Sequence, residues 1–144
     1  ACPDGFITSQ DLRQCFKVFK DEHRNWNETQ SKCLQENLVH AMPSDTNAIE
    51  LRKKILDTYG EVEGVWLGGI SPAGSGQVTV PGNQTQLDQD HHLWRPGAPV
   101  LSDDQDMCVW MPLTQEYVSD WPRQVYSTRL CAFPWITLCE ATFE

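Results

Sequence analysis

The period of the apolar positions changes along the chain, and each change predicts an element. CFKVFK at 15–20 alternates apolar and polar residues with the two-residue period of a strand, and Cys2 and Cys15 lie close enough to staple an N-terminal hairpin. From 26 the period becomes helical. Asn25-Trp26-Asn27-Glu28 has the form of a capping box, and Trp26, Gln30, Cys33, Leu34 and Asn37 then share one face. LVHAM at 38–42 predicts a strand. Ser44-Asp45-Thr46 offers a second cap, after which Ala48, Ile49, Arg52, Ile55, Leu56 and Tyr59 recur at helical spacing and Gly60 stands where a C-terminal cap belongs. Glu50 and Lys54 form an i, i+4 pair on the solvated face.

Beyond residue 61 the helical period disappears. VWLGG at 65–69 predicts a short buried strand, and about 35 residues rich in Gly, Pro, Gln, Ser and Asp follow with little periodicity. A loop region of that length is uncommon in a compact domain unless it carries function. MCVWMP at 107–112, EYVSDW at 116–121 and LCAFPWITLCE at 130–140 are β-type runs separated by turns. Helices first and strands afterwards, with a loop excursion, predict an α+β fold.

The 144 residues suit one domain spanning 1–144, enough to bury roughly two-thirds of the unfolded surface. Twenty acidic against 11 basic residues leave a net charge of −9, which repels a phosphate backbone or an anionic membrane, so nucleic acid is excluded as a partner. No apolar run is long enough to cross a bilayer. Six cysteines, at 2, 15, 33, 108, 131 and 139, include no C-x-x-C pair, which disfavours zinc and favours disulfides in a secreted, extracellular protein. Their connectivity is open among 15 possibilities. Asn27-Glu28-Thr29 and Asn83-Gln84-Thr85 are candidate N-glycosylation sites in that setting.

Taken in order, NWNETQSKC, SDTNAIELRKKIL, VWLGG, the Trp94-Arg95-Pro96-Gly97 turn, DMCVWM and CAFPWITLCE resemble a C-type lectin-like domain of the long, six-cysteine form over nearly the whole chain. The resemblance implies two helices packed on small antiparallel sheets with a long irregular loop region. It also implies the pairs Cys2–Cys15, Cys33–Cys139 and Cys108–Cys131, the second closing a loop of about 106 residues.

In sugar-binding members of that family, calcium is held by a Glu-Pro-Asn or Gln-Pro-Asp triplet, by an acidic residue shortly before the fourth cysteine and by an Asn-Asp pair after a tryptophan. Calcium takes six to eight oxygens, so each missing donor counts. Here the triplet position reads Ala98-Pro99-Val100 and the pair position Trp121-Pro122-Arg123, with an arginine where a cation would sit. Asp106 survives, and Met107 stands where the family often has an aspartate. No cofactor is therefore expected. Asp103, Asp104 and Asp106 admit two readings, a solvated acidic loop or a non-standard calcium site completed by backbone carbonyls. His91 and His92 are adjacent, closer than zinc ligands are usually spaced.

The surface remains a candidate for binding without calcium. Trp94, Trp110, Trp121 and Trp135 could stack a sugar ring or a peptide, although the family positions of Trp94, Trp110 and Trp121 are usually core or loop-base packing. Arg95 and Arg123 could receive carboxylate, sulfate or phosphate, or pair with Asp103, Asp104 or Asp120. There is no G-x-S-x-G, no H-E-x-x-H and no thiol left once three bridges form, so no enzyme is expected. The resemblance implies a secreted recognition protein binding glycans or microbial surfaces in innate defence without the usual calcium site. The alternative is a calcium-independent protein-binding module, such as a receptor ligand, an inhibitor or a matrix- or biomineral-associated protein.

Overall fold

The computed structural model describes residues 2–9, 14–43, 45–60, 62–81 and 85–141. Within them the order is β1 (Ile7–Thr8), β2 (Cys15–Arg24), α1 (Trp26–Gln35), β3 (Val39–His40), α2 (Asp45–Tyr59), β4 (Gly64–Ser71), β5 (Val78–Val80), β6 (Thr85–Leu87), β7 (Met107–Pro112), α3 (Gln115–Asp120), β8 (Ser127–Leu130) and β9 (Trp135–Glu140). The arrangement is α+β. β9 is the hub: β2 runs antiparallel along one edge, while β3 and β4 share the other, β4 in parallel register with Val65 opposite Ile136. β4 continues into two branches, through β5 to β6 and through β7 to β8.

Three disulfides fix this hub. Cys33–Cys139 ties α1 to β9, Cys2–Cys15 ties the N-terminus to β2, and Cys108–Cys131 joins β7 to the turn after β8.

The main core gathers Phe16, Leu51, Ile55, Leu67, Val109, Met111 and Leu138, all at most 2% exposed. A second cluster holds Trp26, Trp66, Cys108 and Trp135, and indole N–H groups stitch it to the backbone. Trp26 Nε1 donates to Leu67 O at 2.9 Å, and Trp66 Nε1 to Arg24 O at 3.0 Å and Phe133 O at 3.1 Å.

α1 starts at its capping box, with Glu28 N donating to Asn25 Oδ1 at 2.8 Å and Asn25 N to Glu28 Oε1 at 3.0 Å. Its buried face is Trp26, Thr29 and Cys33, whereas Leu34 is 61% exposed. α2 likewise buries Ala48, Leu51, Arg52 and Ile55 and leaves Ile49 38% exposed, so its inward stripe lies beside the one that spacing predicts. Gly60 closes α2 at φ +75°, and Lys54 meets Glu50 at 2.7 Å. Ser44, the predicted cap, lies outside the described residues.

Four other expectations change. The sheet is mixed because of the β4–β9 pairing. The LVHAM strand shrinks to Val39–His40. The 70–106 region contains β5 and β6, so the irregular loop begins only at Asp88. EYVSDW forms a helix, since Thr114 Oγ1 accepts from Tyr117 N and caps it, and Tyr117, Val118 and Trp121 then fall at helical spacing.

Candidate functional site

The loop from Asp88 to Asp106 is pinned at several points. Trp94 Nε1 donates to Asp88 O at 2.8 Å, Arg95 N to Tyr126 O at 3.0 Å, and Val125 N and Tyr126 N both donate to Leu93 O. Its acidic end is a tied turn: Ser102 Oγ accepts from Asp104 N and Gln105 N, both at 3.1 Å, and Asp106 Oδ1 accepts from Ala73 N at 2.8 Å. Gly74 N donates to Ser102 O, joining this turn to the one after β4.

The Ala98–Pro99 peptide is cis, and the segment it shapes meets β8. Val100 N donates to Thr128 Oγ1 and Thr128 Oγ1 donates to Val100 O, each at 2.9 Å. Thr128 is thus the side chain bonded to the triplet segment. Pro122 and Arg123, the pair suggested by the resemblance, lie instead in the turn after α3. That turn is organised by Arg52, a 2%-exposed residue whose guanidinium donates to Gln124 O at 2.7 Å, Pro122 O at 2.6 Å and Trp121 O at 3.2 Å. A cation approaching those carbonyls would meet a resident positive charge. Among the described residues, no three His, Cys, Asp or Glu side chains converge as a metal site.

The predicted binding residues therefore separate. Trp94 is 5% exposed and packs edge-on against Tyr126, so it braces the loop base and offers no stacking platform. Arg95 and Arg123 are both exposed, and among the described residues neither joins an ion pair; those present link Arg24 to Asp21 and Glu22, and Lys54 to Glu50. Asp103, Asp104 and Asp106 are exposed on the tied turn. His91 and His92 stack at 4.7 Å, and His91 Nδ1 accepts from Leu93 N. Asn27 is exposed in the first turn of α1, while Asn83 lies outside the described residues.

Two features escaped the sequence. Trp110 and Trp135 stack face to face at 4.5 Å, and the exposed Arg129 lays its guanidinium 4.0 Å from the Phe133 ring centroid beside them. Arg52 and Thr128 carried no motif, and only their spatial partners reveal their roles.

No family model matches the chain, and no curated protein matches it by sequence. Solved structures do match. Human lithostathine superposes with a TM-score of 0.74 at 14% identity, covering 99% of this chain and all of its own. The C-type lectin domain of murine dendritic cell inhibitory receptor 2, solved in complex with N-glycan, gives 0.72 at 16% identity over 99% of this chain and 100% of that one. A calcium-independent type II antifreeze protein gives 0.69 at 17% identity, covering 99% of this chain and 95% of its own. The element order, the three bridges and these superpositions agree that the chain has the C-type lectin-like fold.

Proposed function

We propose that the protein is a secreted recognition protein that binds glycans on cell or microbial surfaces, in innate defence, without the calcium chemistry usual for this fold and without catalysis. The observation that carries the reading is the closed contact between Val100 and Thr128: the segment whose flanking donors would hold calcium ends in a hydrocarbon, with its backbone bonded to a neutral hydroxyl. Among structures sharing the fold, one is described as a complex with N-glycan and another as calcium-independent. Three disulfides suit an extracellular setting.

A glycan array probed in calcium and in chelator tests the reading. Binding to the same glycans under both conditions is expected. Binding that chelator abolishes would overturn calcium independence, and an array silent in both would turn the reading toward the protein-binding alternative.

A further inference from the structure

Three distant segments meet at a groove of about 400 Å3: Asn25 and Asn27 from the start of α1, Gln105 and Asp106 from the tied turn, and Leu130 to Ala132 from the end of β8. Clefts for small ligands run from about 300 to 1,000 Å3. The floor is rigid, because Trp26 N donates to Cys131 O at 3.0 Å, Cys131 N donates to Asp106 O at 3.4 Å, and Cys131 is bridged to Cys108.

The walls carry unspent polar capacity. Asn25 uses Oδ1 for the Glu28 cap, which leaves its amide N–H groups. Asp106 commits Oδ1 to Ala73 N, which leaves Oδ2. Among the described residues, the Asn27 and Gln105 side-chain amides make no hydrogen bond. Beside them the large apolar side chain of Leu130 is 43% exposed. The groove therefore pairs planar amides and one carboxylate with an apolar wall.

That combination selects a ligand class. A carboxylate with no cation beside it in the groove repels sulfated or acidic groups. A neutral ring bearing adjacent hydroxyls satisfies the rest: the Asn27 and Gln105 amides each accept from one hydroxyl and donate to the next, Asn25 donates, Asp106 accepts a charge-assisted bond, and the C–H face of the ring covers Leu130. We infer that this groove is a calcium-free binding site for a neutral pyranose, formed by Asn25, Asn27, Gln105, Asp106 and Leu130 and separate from the 98–100 segment. The inference rests on the glycan reading above.

The test uses the full chain with Thr29→Val, which removes the glycan acceptor sequence at Asn27 through a buried side chain outside the groove and leaves every groove residue in place. A neutral glycan selected on the array is titrated in chelator into this protein and into the same protein carrying Gln105→Ala, or Ala132→Trp to fill the groove from an exposed position. Leu34→Ala, on the outer face of α1, is the control. Each groove substitution is expected to weaken binding about five- to tenfold or more, with the thermal midpoint and the control unchanged. Unchanged affinity in both groove variants would overturn this site and leave the glycan reading standing. An array silent toward neutral glycans would overturn this site, and one silent toward every glycan would overturn both.

Discussion

Thr128 and Val100 close on each other through one hydroxyl, which accepts from the Val100 amide and donates to the Val100 carbonyl at 2.9 Å in both directions. The pairing couples an irregular segment to a strand that is itself paired with β7, so a single Oγ anchors the 98–100 stretch of a loop that is pinned elsewhere by other bonds. Thr128→Val keeps the shape and removes both bonds. Because the contact is solvent-exposed, a loss of about 1 kcal/mol is expected, a few degrees in Tm, with no recovery on adding calcium. Thermal unfolding in calcium and in chelator checks this.

Arg52 presents a different case, since its guanidinium is buried and its partners are all carbonyls. Arg52→Met preserves most of the apolar stem but takes the guanidinium from three acceptors, of which Trp121 O keeps its bond from Gln124 N, and should cost about 3 kcal/mol. Arg52→Lys should recover part of that, because an ammonium cannot span the same fork. Urea unfolding of the three proteins gives the order wild type, Lys, Met.

His40 ties stability to pH. Burial, with the Trp26 ring edge-on at 4.5 Å, holds its imidazole down to about 4 from 6.5. The folded state keeps the ring neutral while the unfolded chain takes up a proton, so stability falls as pH drops from about 6.5 toward 4. Glu140, whose carboxyl burial pushes upward, acts in the opposite sense, because its folded form retains a proton above the usual range. His40→Phe removes only the first effect. Wild type should therefore lose on the order of 2 kcal/mol more than the variant between about pH 7 and about pH 4.5, read from urea midpoints at each pH.

The disulfides should rank by the loops they close. Replacing Cys33 and Cys139 by alanine opens a 106-residue separation and should cost about 4 to 5 kcal/mol, whereas Cys2–Cys15, with a separation of 13, should cost about 3. Denaturant unfolding of the two double variants tests the order.

Local signals in the sequence were read where one segment contains all its own partners. The Asn25–Glu28 box is such a case, whereas β7 at Met107–Pro112 is legible from its unbroken run of apolar residues although its partners are in β4 and β8. EYVSDW misleads because a six-residue run rich in β-formers resembles a strand, while its neighbour Thr114 supplies the cap that makes it α3. Ile49 and Leu51 exchange roles because helical spacing defines a stripe without saying where its edge falls. At the candidate site the missing donors at 98 and 100 were legible. Thr128 as the partner of Val100, Arg52 as the clamp and the Asn25–Gln105–Leu130 groove were not, since each joins segments dozens of residues apart and depends on register.

Recognition without calcium is the central claim, and calorimetry of one array-selected glycan tests it most directly. The titration is run with the unmodified protein in calcium and again in chelator. Equal affinity and equal heats in the two buffers are the predicted result. Binding present in calcium and lost in chelator would contradict the account, and would mean that Asp103, Asp104 and Asp106 leave their tied turn to complete a metal site.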